Sequence, residues 1–66
     1  MTVTVNDLEV TIADGTTLAD LIASRNLPST GIAAALNGKL VPAVRRGETI
    51  LTDGDKIVII KAFYGG

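Results

Sequence analysis

Apolar and polar residues alternate strictly through residues 2–6 (TVTVN) and 8–12 (LEVTI), which is the period of a half-buried strand. Between the two runs stand Asn6 and Asp7, residue types that tolerate the positive φ of a two-residue hairpin turn. A hairpin turning there sets Val5 opposite Leu8 and Val3 opposite Val10. The pairing gathers Met1, Val3, Val5, Leu8, Val10 and Ile12 on one face and Thr2, Thr4, Glu9 and Thr11 on the other. After Asp14-Gly15 the period changes. Leu18, Leu21 and Ile22, with Arg25, follow at helical spacing, Thr16 or Thr17 can cap, and Asp20 lies near the positive end of the helix dipole. The pattern predicts a helix of about eight or nine residues, ended by Asn26 with Pro28 beyond, and too short to persist without packing.

Residues 29–31 read as a loop and residues 32–36 (IAAAL) as a short strand with Ile32, Ala34 and Leu36 on one side. Asn37-Gly38 is a strong hairpin dipeptide, and it leads into residues 39–41, which Pro42 stops. Residues 43–48 (AVRRGE) are expected to be irregular, with Arg45 and Arg46 on a solvated loop and contact with a partner as the alternative. Residues 49–51 fit a brief strand or extended segment. Asp53-Gly54-Asp55 has the look of half a metal site, but no further ligands stand near it in sequence, and a turn is the expected role. Residues 56–63 (KIVIIKAF) then form a strand that is apolar on both faces apart from Lys61. Ile57, Ile59 and Phe63 share one face, and Val58, Ile60 and Ala62 share the other. One face should cover the core; the other is either covered within the molecule or exposed as a docking patch.

Hairpin, helix, strand pair, crossover and final strand together predict an α+β domain, a mixed sheet of four or five strands clasping one helix. Closing it naturally sets the last strand parallel to the first at the centre, so the chain end leaves from the middle of the sheet. Residues 1–63 would form this domain and residues 64–66 a flexible tail.

Composition narrows the function. A chain of 66 residues makes one domain with room for one small core, burying about 60% of its unfolded surface. With 47% hydrophobic residues and no Cys, that core must hold without a disulfide, and the absence of Cys suits a reducing, cytoplasmic setting. The lack of both His and Cys removes most nucleophiles, bases and metal ligands that work near neutral pH, so an enzyme acting alone is not expected. A net charge of -1 and a single Phe and Tyr speak against nucleic-acid binding. No apolar run approaches the ~20 residues of a membrane span, and Met1 leads into a strand rather than a signal peptide.

The remaining feature is the end of the chain. Tyr64, Gly65, Gly66 and a free carboxylate follow the last strand, and glycines in such a place have no packing role. Residues 63–66 can reach roughly 13 to 14 Å when extended. Without Cβ atoms, Gly65 and Gly66 fit a narrow channel and leave the terminal carbonyl open to attack. Glycine makes up about 7% of average composition, so two together at a given place arise by chance about once in 200 chains. The pair gains meaning from its position directly after a strand.

Three features combine here: the segment Leu36-Asn37-Gly38-Lys39-Leu40-Val41-Pro42, the run Glu48-Thr49-Ile50-Leu51 followed by Asp53-Gly54-Asp55, and the Gly65-Gly66 end. In combination they resemble the sulfur-carrier proteins of thiamine biosynthesis, the ThiS family, over essentially the whole chain. The resemblance implies a ubiquitin-like β-grasp fold and a protein that is substrate and carrier rather than catalyst. It implies that a ThiF-like enzyme, using ATP and magnesium, adenylates the Gly66 carboxylate, and that a persulfide donor converts it to a thiocarboxylate. A ThiG-like thiazole synthase would then take the sulfur. Gly65 would give clearance, Val58, Ile60 and Ala62 would form part of the docking patch with Phe63 or Tyr64 at its edge, and the chain itself would bind no cofactor or metal. Tyr64 departs from the small or aliphatic residue commoner beside the glycine pair and bears on how the tail enters a channel. The alternatives are a carrier for another pathway, as in molybdopterin synthesis, a ubiquitin-like protein modifier, and a plain interaction module with an incidental tail.

Overall fold

A computed structural model describes residues 1–25 and 31–61. Strands β1 (Thr2–Val5) and β2 (Leu8–Thr11) pair antiparallel in the expected register, with Val3 opposite Val10 and Val5 opposite Leu8. Asn6 and Asp7 take φ of 50° and 68°, the left-handed pair that this turn requires. Leu8 shares the inward side of the hairpin but is 62% exposed. It is the first residue of an edge strand, beside the turn, and the core reaches only its neighbours Val10 and Ile12.

Helix α1 (Leu18–Ser24) is capped by Thr17, whose hydroxyl oxygen accepts from the Asp20 amide at 3.1 Å while Asp20 Oδ2 accepts from the Thr17 amide at 3.2 Å. That reciprocal pair satisfies two amides the helix itself leaves open. At seven residues it is slightly shorter than expected. Tertiary contacts hold it: Leu18 N–H donates to Thr49 O and Leu51 N–H to Thr16 O, both at 2.9 Å. A bridge between Thr17 and Ile50 makes residues 49–51 the extended segment predicted. Asn26, Pro28, Ser29 and Thr30 lie outside the described residues.

Strands β3 (Ile32–Leu36) and β4 (Lys39–Val41) form the second hairpin, with φ of 52° at Asn37 and 86° at Gly38. Residues 43–48 are not irregular: Ala43–Glu48 is a 3-10 helix. Pro42 presets its entry, and Arg45 N–H donates to Pro42 O at 2.9 Å in the i to i+3 pattern. The paired arginines separate. Arg45 is exposed and lies 3.6 Å from Glu48, whereas Arg46 is buried and its Nη2 donates to Ile32 O at 3.1 Å. The expected solvated loop therefore holds for one arginine only. β4 has ended by Pro42, and the Arg46 guanidinium supplies a donor to the first residue of β3.

Strand β5 (Lys56–Lys61) is the middle of a five-stranded sheet of order β2-β1-β5-β3-β4. It runs parallel to β1, with Thr4 beside Lys56 and Val5 beside Ile57, and antiparallel to β3 from Leu36 opposite Ile57 to Ile32 opposite Lys61. The core consists of Val3, Val5, Ala34, Ile57 and Ile59 from the sheet, Leu18, Leu21 and Ile22 from α1, and Leu51 from the crossover. Each fully buried Leu or Ile side chain contributes about 1.5 to 3 kcal/mol. Sheet and helix thus form the clasp that the order of elements predicted.

Candidate functional site

The predicted site is the outgoing end of β5 and the tail beyond it. Ala62, Phe63, Tyr64, Gly65 and Gly66 lie outside the described residues, as does the division of the chain at residue 63. The strand that leads to them is described through Lys61, and two features of its surroundings bear on function.

The first is its outer face. Ile57 and Ile59 point into the core, and the alternate residues Val58 and Ile60 occupy the opposite side, Val58 half-buried and Ile60 60% exposed. The register extends this face sideways. Ala35 stands between Val58 and Leu40, and Ala33 stands beside Ile60. Leu40 is 70% exposed. Among the described residues nothing covers Ile60 or Leu40, and the side of β5 carrying Val58 and Ile60 is the open one. Leu40 was not among the residues singled out from sequence, although the Asn37-Gly38 turn fixes its pairing with Ala35. The missing signal was the order of strands, which joins that hairpin to β5. Toward β1 the same face turns polar, with Thr4 beside Lys56.

The second is the set of side-chain hydrogen bonds that fix β5. At its start, Asp55 is buried and accepts from the Thr52 amide (2.8 Å), the Thr52 hydroxyl (3.0 Å) and the Asn37 carboxamide (3.0 Å). Burial works against its charge, but these hydrogen bonds prevail and hold its carboxyl below the ordinary carboxylate range. Asp53 Oδ1 accepts from the Thr2 amide at 2.8 Å, and Gly54 takes φ of 86°. Both acidic residues of the Asp53-Gly54-Asp55 turn therefore bind backbone amides. Further along β5, the Ile59 amide donates to Asn6 Oδ1 at 2.8 Å and Asn6 Nδ2 donates to Ile59 O at 3.1 Å.

Among the described residues, no helix is long and apolar enough to cross a membrane.

Comparison with known proteins agrees with this geometry. The model of the ThiS family matches residues 1–66. The sulfur carrier protein ThiS of Escherichia coli (strain K12) is 30% identical over 66 residues, spanning 100% of both chains. Among solved structures, the thiamine biosynthesis protein ThiS of Geobacter metallireducens superposes with a TM-score of 0.83 at 25% identity, covering 100% of this chain and 99% of that one. A ubiquitin-like protein of the archaeon Caldiarchaeum subterraneum shares the fold with a TM-score of 0.52 at 22% identity, over 97% of this chain and 96% of the other. The five-stranded mixed sheet with one helix is the ubiquitin-like β-grasp fold.

Proposed function

Since the chain belongs to the ThiS family, we propose that it is a sulfur carrier for thiazole formation in thiamine biosynthesis, with the carboxylate of Gly66 as the group that is charged and unloaded. The observation that carries this reading is the match of the family model along the whole chain, and the central position of β5, leading toward that terminus, supports it.

A carboxylate, with a pKa of about 3.3 to 3.7, is ionised at neutral pH and resists nucleophiles, so activation must come first. In the proposed sequence a ThiF-like partner catalyses attack of a Gly66 carboxylate oxygen on the α-phosphorus of ATP, with magnesium held by that partner, and pyrophosphate leaves. The terminal sulfur of a persulfide then attacks the acyl carbon and AMP departs. A thiol cleaves the sulfur–sulfur bond, leaving a thiocarboxylate on Gly66 and a disulfide on the donor side. A ThiG-like thiazole synthase takes that sulfur.

In this scheme the chain contributes presentation rather than proton transfer, as suits a sequence without Cys or His. Residues 64–66 act as the tail, Gly65 keeps it slender, and Tyr64 sets how it fits the entrance. The open face of Val58, Ile60 and Leu40 is where the partners dock. A cytoplasmic setting fits the reading.

Mass spectrometry tests it. Incubation with the ThiF-like enzyme, ATP, magnesium and a persulfide donor should replace one oxygen by sulfur in the peptide ending at Gly66. Adding one residue beyond Gly66 should abolish the change. Adducts of higher mass joined to lysines of other proteins would point instead to a modifier, and sulfur transfer by the extended chain would overturn the proposal.

A further inference from the structure

We infer that Asn6 is a positioning residue for the outgoing end of β5, fixing the line along which the chain continues past Lys61 toward an activating partner. The inference rests on the function proposed above.

The two flanks of β5 are unequal. β3 accompanies it to Lys61, which lies opposite Ile32. The backbone of β1 accompanies it only as far as Ile57, opposite Val5, and then turns away at Asn6 and Asp7. Where the β1 backbone is lost, the Asn6 side chain takes its place: Oδ1 accepts from the Ile59 amide at 2.8 Å and Nδ2 donates to the Ile59 carbonyl at 3.1 Å. A carboxamide reproduces the acceptor and donor of a peptide group, so the ladder gains a further rung without further backbone. The Asn6 amide itself donates to Ile57 O at 2.9 Å, so one residue grips β5 at two successive inward-facing positions.

Turn chemistry does not account for this choice of residue. At φ of 50° glycine, aspartate and asparagine all serve, but only asparagine offers an acceptor and a donor together. The extra capacity is spent on Ile59, two residues before the end of β5. With that rung gone, β5 beyond Ile57 would be paired on the β3 side alone. A partner would then have to order the strand end as it bound, and its apparent affinity would fall by the fraction of molecules already aligned.

The test uses Asn6→Gly and Asn6→Asp in the full chain. Glycine keeps the turn and removes both side-chain bonds, and aspartate keeps the acceptor but sets a carboxylate against the Ile59 carbonyl. Hydrogen exchange should quicken at the Ile59 amide in Asn6→Gly. In adenylation by the ThiF-like enzyme, run well below the melting temperature of every variant, KM for the carrier should rise about five- to tenfold with kcat unchanged. Asn6→Asp, which loses the donor and places a carboxylate oxygen against the Ile59 carbonyl, should also raise KM. A general loss of stability would leave KM unmoved under these conditions, because every variant remains folded. Unchanged KM in Asn6→Gly, or unchanged exchange at Ile59, would overturn the positioning role. Failure of the wild-type chain to be adenylated would overturn the functional reading, and the role of Asn6 with it.

Discussion

Asn37 and Asp55 are joined by a 3.0 Å hydrogen bond from the carboxamide nitrogen to Oδ1 across 18 residues of sequence. Asn37 also accepts from the Lys56 amide through its side chain at 2.9 Å and donates its own amide to Lys56 O at 2.8 Å. The tip of the second hairpin is thereby fastened to the start of β5, and the direction of the central strand is set at that junction.

Acid should weaken this junction. The Asp55 carboxyl titrates below its ordinary value of 3.8 in the folded chain, so the unfolded state takes up its proton first as pH falls. Its stabilising contribution is then complete above the ordinary value and is lost as pH drops from about 4 through the lower folded value. Asp55→Asn should flatten the pH dependence of urea denaturation in that window. Asp55→Ala should cost about 1 to 3 kcal/mol at pH 7, because the hydrogen bonds from Thr52 and Asn37 to a buried carboxylate are lost.

The open face can be separated from the fold. Ile60→Asp and Leu40→Asp replace exposed side chains and should change stability by no more than about 1 kcal/mol. Each should raise the KM of adenylation about tenfold or more, since a charge would be desolvated in an apolar contact. Leu8→Asp, equally exposed but on the opposite side of the sheet, should leave adenylation unchanged. Normal kinetics for both Ile60→Asp and Leu40→Asp would discard the face as a docking surface.

The two neighbouring arginines should respond differently to removal. Arg45→Ala breaks only an exposed ion pair and should cost no more than about 0.5 kcal/mol. Arg46→Ala takes a buried guanidinium from Ile32 O and should cost about 1 to 3 kcal/mol in chemical denaturation. Equal effects would contradict the burial described for Arg46.

At the helix, Thr17→Ala should cost about 1 kcal/mol, and Thr17→Ser should restore most of it. Melting curves of the two variants decide the matter.

The parts legible from sequence were those that a few adjacent residues determine. Asn6-Asp7 and Asn37-Gly38 each specify a turn, and a turn with alternating flanks specifies a register, so both hairpins and the inward face of β1 followed directly. The Thr17 cap and the stripe of Leu18, Leu21 and Ile22 were equally local. Distant partners were not legible. Nothing beside Arg46 announces that Ile32 O needs a donor, and nothing beside Asn6 announces Ile59, 53 residues away. Leu8 looked inward by parity, yet it sits where the sheet outruns its cover. In the candidate site, Val58 and Ile60 were visible as the alternate residues of one strand, whereas Leu40 joined them only once β3 was placed between β4 and β5.

The central seat of β5 has a mechanical consequence. A pull on its outgoing end would load the sheet lengthwise, in shear against β1 and β3 together, so that the bonds of both ladders share the force instead of opening one after another like a zipper. A handle mounted on that strand is anchored by a ladder on each side, whereas the same handle on β2 or β4 would be anchored by one ladder alone.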